Sequence, residues 1–396
     1  MAAAPIPTTM AMIGISAEGR RRRRRDHRSA KPCSARSSGR VVSLSIGGLV
    51  MSCHTFLTSA TERNGTVVRP RTQTENVDVA RIALPLVALI LVLTLGACSN
   101  GGDSDAPHHI RWGAYLPDLK GSDVDSDAGV VGVTTLADRP LDLILTFSGL
   151  REPVPNADLA RIAETGAVPI VSIEPWNPSG GVNQPDYRLS RIADGAFDTD
   201  LRRWATGLKE FGKPVIVRFA HEMNGDWYPW GMHVNGNTPQ SYIDAWRHVR
   251  SILTSIDPHN ISMVWAPMAA ISGIPGFDAA YPGDDEVDYL GIDGYNWGND
   301  GKHGWASPEF IFSDAFVSLR RLGDKPILVT EVASADDPDP TRKATWIHDF
   351  VSLVSREPDV DGFVWFQANK ERDWRFNSNP QSEKAFRSAL DAVPAT

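Results

Sequence analysis

The sequence predicts an α/β fold, a (β/α)8 barrel of the TIM type, over residues 110–396. Three observations carry this expectation. Eight short apolar runs recur, helical patterns separate most of them, and one join is repeated. ETGAVPIVSIE, EFGKPVIVRFAHE and RLGDKPILVTE each run helix, Gly, Pro, apolar strand, Glu. Strands that alternate with helices pair in parallel. Eight units in about 285 residues lie near the usual barrel length of about 250. An open doubly wound sheet is the alternative. It usually has fewer strands and often a Gly-rich phosphate loop after the first, which GAYLPDLKG does not offer.

The strands are expected at IRWGAY (110–115), LDLILTF (141–147), VPIVSIE (168–174), PVIVRFAHE (214–222), ISMVWAP (261–267), YLGIDGY (289–295), PILVTE (326–331) and GFVWFQ (362–367). NADLARIAETG, FDTDLRRWATGLKEFG, TPQSYIDAWRHVRSIL and SPEFIFSDAFVSLRRLG carry helical periodicity between them. Two of these open on Thr-Pro or Ser-Pro, a cap followed by a first-turn proline. Several close on Gly, as helix ends do.

The chain before the barrel is different in kind. Residues 1–80 include six consecutive arginines at 20–25 and a Ser/Arg-rich stretch to Arg40. Such runs repel themselves and rarely fold, so this part is expected to be a disordered extension or to follow from a start codon set too far upstream. Residues 81–98, RIALPLVALILVLTLGAC, are short for a membrane span and fit the apolar core of a signal peptide. Leu95-Gly96-Ala97-Cys98 resembles the lipobox of bacterial lipoproteins, which implies lipidation at Cys98; an uncleaved anchor gives the same topology. Both readings put the barrel outside the membrane, lipid-anchored or secreted, with residues 99–109 as a linker.

Composition narrows the ligand. From Cys98 onward there are 26 basic and 43 acidic residues, a net of −17. Such a domain is a poor partner for nucleic acid or an anionic membrane surface. No cysteine lies beyond Cys98, so the barrel has neither a disulfide nor a thiol nucleophile. All twelve tryptophans lie beyond residue 110, which favours a neutral ligand with flat apolar faces, such as a sugar. SDVDSDAG (122–129) looks like the start of a calcium loop, but Thr134 stands where an EF-hand needs Glu.

Function in such a barrel sits at the C-terminal strand ends. Three of the expected strands end in glutamate: Glu174, Glu222 and Glu331. Alternation puts Arg218, Ala220 and Glu222 on one face of the fourth strand, aimed at the mouth. Two carboxylates across a mouth suit glycosidic cleavage, one protonated to serve the leaving oxygen and one ionised to attack or to activate water. Glu174 lines a subsite or pairs with a neighbouring cation, and Asp293 is read as structural.

VRFAHEMNGDWYPWG and ILVTEVAS together resemble glycoside hydrolase family 26, a barrel family rich in β-mannanases. The resemblance spans about 110–395. It implies that Glu222 is the acid/base and Glu331 the nucleophile of a retaining endo-β-glycosidase. It implies that Tyr295 hydrogen-bonds the nucleophile, that Trp365 is the aromatic floor under the sugar, and that Trp227 and Trp176 line subsites. Arg218 and His221 are expected to donate hydrogen bonds beside Glu222 and tune its proton affinity. The implied substrate is a plant or microbial polysaccharide, β-1,4-mannan first. Family mannanases commonly carry a substrate-contacting His on an early loop, and none stands between His109 and His221, so β-1,3-1,4-glucan and β-1,3-xylan stay open on the same site. The mechanism calls for no metal or cofactor, and the enzyme is expected to act as a monomer. A sugar-binding lipoprotein of a transporter is the competing class; it has two lobes and needs no paired acids.

Overall fold

A computed structural model describes residues 108–119, 129–256 and 259–394. The N-terminal extension, the apolar segment, Cys98, the linker up to residue 107 and residues 122–128 of the acidic run lie outside the described residues.

Eight parallel strands close on themselves in sequence order: β1 (Arg111–Tyr115), β2 (Leu143–Gly149), β3 (Val168–Glu174), β4 (Val215–Phe219), β5 (Ile261–Trp265), β6 (Tyr289–Asn296), β7 (Ile327–Ser334) and β8 (Val360–Phe366). β1 pairs with β8, from Arg111 opposite Gly362 to Tyr115 opposite Phe366, and this closes the barrel. Around it run α1 (Val130–Ala137), α2 (Asn156–Glu164), α3 (Leu189–Ala193), α4 (Asp198–Phe211), α5 (Pro239–Leu253), α6 (Pro308–Leu322), α7 (Pro340–Arg356) and α8 (Pro380–Asp391). The expected fold class is correct.

Four helices start with one device. Thr238, Ser307, Asp339 and Asn379 each accept a backbone N–H through the side chain, and a proline follows at the first helical position. That proline gives up an N–H the helix could not have paired. Gly212 ends α4 in the left-handed region at φ 66°.

The core lies in two places, inside the strands and between strands and helices. Eight of the twelve tryptophans are almost wholly buried, among them Trp112, Trp204, Trp246, Trp265 and Trp346. Half of the tryptophan that suggested sugar stacking (Trp112, Trp204, Trp246, Trp265, Trp346 and Trp365) is therefore packing between layers. Trp365 belongs here too, and the expectation that it floors the mouth is wrong. Its ring meets Trp346 of α7 and Phe386 of α8 edge-on, at 6.1 and 5.3 Å between centroids. Its neighbour Phe366 faces the other way, stacked on Tyr115 at 4.6 Å. Side chains alternate along a strand, so only one of the pair could look inward.

Candidate active site

β4 ends at Phe219, three residues short of Glu222. Ala220 and Glu222 have φ of 46° and 52°, a conformation that costs a side-chain-bearing residue roughly 1 kcal/mol or more. Alternation therefore stops before Glu222, and the expected shared face with Arg218 does not extend that far. The kink is held from every side. Ala220 N–H donates to Ile173 O of β3 at 3.2 Å, and Glu222 N–H to Ala266 O after β5 at 2.7 Å. Tyr242 Oη–H donates to Ala220 O, and Trp230 Nε1–H to His221 O at 2.6 Å.

The rest of the HEMNGDW motif follows from the same need. Asn224 bonds Met268 N and O and Pro275 O, tying the loop to the segment after β5. A Cβ on Gly225 would lie 2.4 Å from the Trp227 ring. Glycine there lets Trp227 fold back, and its Nε1–H donates to Glu222 Oε2 at 2.6 Å.

Glu331 lies inside β7, not at its end. The β6–β7 register shifts between Ile292 and Asp293, so Asp293 stands opposite Glu331. Such an irregularity re-aims a side chain. Both carboxyl oxygens of Glu331 accept hydrogen bonds, Oε1 from Arg218 Nη2 and Oε2 from Tyr295 Oη–H. The expected Tyr295–Glu331 contact is present.

Arg218 is wholly buried. Besides Glu331 it donates to Asp293 Oδ2 at 2.9 Å and to Ser172 Oγ at 2.7 Å, with its guanidinium over the Phe147 ring. It makes no hydrogen bond to Glu222; its two carboxylate partners are Glu331 and Asp293. Burial would lower its proton affinity, but Glu331 and Asp293 more than reverse this. Asp293 also accepts from Thr330 Oγ1. It is structural, as expected, but as part of the charged centre. His221 donates nothing to Glu222 either. Burial, then the charges of Arg218 and Lys370, hold its imidazole well below its ordinary value. Its ring packs against Phe147, Tyr228 and Trp230, and Nδ1 has no hydrogen-bond partner among the described residues.

The two glutamates thus sit in unlike surroundings. Burial pushes Glu222 well above the ordinary carboxyl value, and the charges of Asp293 and Glu331 push the same way. The N–H of Trp227 and the charge of Arg218 pull it down only in part. Glu222 therefore holds a proton where an ordinary glutamate would not. Burial likewise raises the Tyr295 phenol, which stays a donor. Glu174 ends β3 as expected, and burial moves it up to about 7 against the pull of Trp176 and Arg218. Trp176 Nε1–H donates to Glu174 Oε2 at 3.3 Å, and the Trp176 ring meets Tyr228 and Trp230 edge-on.

A cleft lies over this centre. Glu222, Trp227 and Tyr295 line it, as the sequence led one to expect. Phe366, Trp374, Trp297, Met268 and Glu371 complete it. None of these five stood out in the sequence. Trp374 comes from the loop after β8, and its ring meets Tyr295 and Trp297 at 5.1 and 5.0 Å. One signal was available: six tryptophans, Trp176, Trp227, Trp230, Trp297, Trp305 and Trp374, fall in the segments between a strand and the next helix. A proton-holding acid, a gripped carboxylate and aromatic walls can bind a neutral ring and break an acetal bond beside it.

Comparison with known proteins agrees. A family model described as glycosyl hydrolase family 26 matches residues 186–319. Endoglucanase H of Acetivibrio thermocellus is 34% identical over 280 residues, which is 67% of this chain and 29% of that protein. The β-1,3-xylanase TXYA of a Vibrio species is 26% identical over 318 residues, 74% of this chain and 65% of that protein. The chain thus spans less than two thirds of the length of either relative. Among solved structures, a Bacillus subtilis mannanase superimposes with a TM-score of 0.53 at 18% identity, covering 72% of this chain and 86% of that one; this likeness is one of fold. With the closed barrel and the two unlike glutamates at its mouth, these matches show that the chain belongs to glycosyl hydrolase family 26.

Proposed function

We propose that this chain is a glycoside hydrolase that cleaves a β-linked polysaccharide internally, with retention at the anomeric carbon. The observation that carries the reading is the difference between the two glutamates. Glu222 is sheltered, and among the described residues only its Oε2 accepts a hydrogen bond, from Trp227. Glu331 is gripped at both oxygens by Arg218 and Tyr295.

In the first step Glu331 attacks the anomeric carbon while the bond to the leaving oxygen breaks and Glu222 gives that oxygen its proton. In the second, Glu222 takes a proton from water as the water oxygen replaces Glu331 at the same carbon, which restores both groups. Two inversions give retention, and this requires the carboxyl groups about 5–5.5 Å apart. Tyr295 and Arg218 fix the attacking carboxylate, which removes the entropy of finding the reactive geometry.

A β-glucan is the substrate this reading favours, because a relative 34% identical over 280 residues is named an endoglucanase. The mannan expectation rests on the family resemblance. The exported, Cys98-lipidated form also remains a proposal, supported by the Leu-Gly-Ala-Cys sequence after an apolar core. Labelling with a radioactive fatty acid, lost in Cys98→Ser, tests it. For the activity, the enzyme is incubated with barley β-glucan, glucomannan, mannan and β-1,3-xylan. Oligosaccharides from β-glucan whose new ends are first seen as the β-anomer by NMR are expected. Release from mannan alone overturns the glucan assignment, and first appearance of the α-anomer overturns the double displacement.

A further inference from the structure

A buried lysine stands behind the cleft, at a place the chemistry does not require one. Lys343 lies on α7 with a fully buried side chain. Taking an ammonium out of water is costly unless hydrogen bonds and a counter-charge replace the solvent. Here the replacement is complete. Its three N–H donors meet three oxygens: Asp373 O at 3.1 Å, Arg375 O at 2.8 Å and Ser378 Oγ at 2.8 Å. The Asp336 carboxylate lies 3.5 Å away and accepts the Ser378 hydroxyl proton at 2.8 Å. The two carbonyls belong to the residues on either side of Trp374, which stands in the cleft against Tyr295 and Trp297.

We propose that Lys343 is a positioning residue, which fixes the backbone on both sides of Trp374 so that this ring forms the wall that holds the sugar. The proposal rests on reading the cleft as a sugar site. Lys343 touches neither substrate nor the reacting carboxylates; it acts through Trp374.

The bond pattern needs the ammonium form. A neutral amine has two donors and one lone pair, and the Ser378 hydroxyl cannot turn to serve that lone pair without leaving Asp336. One of the three contacts is then lost. The charged groups that face Lys343 are Asp336 after β7 and Asp373 and Arg375 after β8. Burial moves it down to about 8, and Asp336 and Asp373 offset this in part. The wall is therefore fully held below that pH and loosens above it, so KM is flat at neutral pH and rises through about 8.

Two measurements test this. In Lys343→Met, KM is expected to rise about tenfold, the worth of about one charge-assisted hydrogen bond, while kcat changes by less than about threefold. The alkaline rise in KM disappears with the lysine. Hydrogen exchange of the peptide over 368–378, with no substrate present, is expected to quicken in Lys343→Met. In wild type it quickens from pH 7 to 9 beyond the intrinsic rate. Should Lys343→Met fail to fold, Ser378→Ala removes one acceptor and is expected to raise KM by about threefold. A folded variant with the wild-type KM, pH profile and exchange overturns the proposal. If wild type cleaves none of the glycans, the proposed function fails, and the exchange measurement still decides on Lys343.

Discussion

Glu222 and Glu331 are the same side chain in two environments, and the difference makes testable statements. Glu222 has a folded proton affinity raised above its ordinary 4.5, chiefly by burial. The folded state then binds a proton that the unfolded state has released, so stability falls as pH rises through that window. Glu222→Gln removes this term. It is expected to raise the melting temperature at pH 7, by about 2–4 °C for each kcal/mol gained, and to lose the gain near pH 4. It should lower kcat by roughly 10²–10⁴, the usual worth of a general acid. A variant that melts lower at pH 7 contradicts the assignment of a buried, protonated acid. Trp227 sharpens the same point. Its N–H lowers the proton affinity of Glu222, so Trp227→Phe is expected to move the alkaline limb of kcat upward, by about one pH unit for a bond of about 1.5 kcal/mol. A limb that stays, or moves to lower pH, places another group in the acid role. The sequence made the two glutamates legible because the HEMNG spacing and the Thr-Glu after an apolar run are local, although neither glutamate ends its strand. It did not show that Arg218 bonds Glu331 instead of Glu222, because that choice depends on Asp293, 75 residues away.

At the scale of elements, the strands that obey a period of two were read correctly, and the departures fell where the backbone breaks that period. β4 stops at Phe219, and positive φ at Ala220 and Glu222 carries Glu222 to the mouth by a kink. No residue type in RFAHE announces this; its cause is the cross-strand bonds to Ile173 and Ala266. In β7 the register shift at Glu331 is equally silent in ILVTEVAS. β8 shows the cost of choosing the wrong parity. Trp365 and Phe366 are both aromatic, and only the packing of α7 and α8 decides that Trp365 turns outward. A pair of variants separates the two tryptophans of this region. Trp365→Phe loses the bond from Nε1 to Trp374 O, and is expected to cost about 1 kcal/mol of stability with KM within about threefold of wild type. Trp374→Ala is expected to cost stability as well, up to about 3–5 kcal/mol for a buried ring, so the two variants are separated by KM. KM should rise roughly 10–100-fold, as when about 1.5–3 kcal/mol of apolar contact is lost. Kinetics and thermal melts on both proteins are sufficient, and a large KM effect at Trp365 with none at Trp374 reverses the correction.

At the scale of the whole molecule, the number and order of strands were legible because each βα unit carries its own punctuation, and closure needs only that β8 lie beside β1. The composition was less informative than it looked: half of the tryptophans serve the layers between strands and helices. Net charge, by contrast, keeps its meaning, since it does not depend on where each side chain packs. From Cys98 onward the chain carries 43 acidic and 26 basic residues. A neutral polysaccharide has no net charge for that field to attract or repel, and ordinary salt screens the field within about 8–10 Å. The value of kcat/KM on a neutral glycan is therefore expected to change by less than about twofold between 20 and 500 mM NaCl. A carboxylated or sulfated glycan of the same backbone meets an acidic surface, and its kcat/KM should rise with salt as repulsion is screened. Steady-state rates on matched neutral and carboxymethylated substrates make the comparison. A strong rise with salt on the neutral glycan would mean that charge limits binding to the mouth itself. A fall with salt on the anionic one would reveal a basic track leading to the cleft, opposite to what the acidic composition requires.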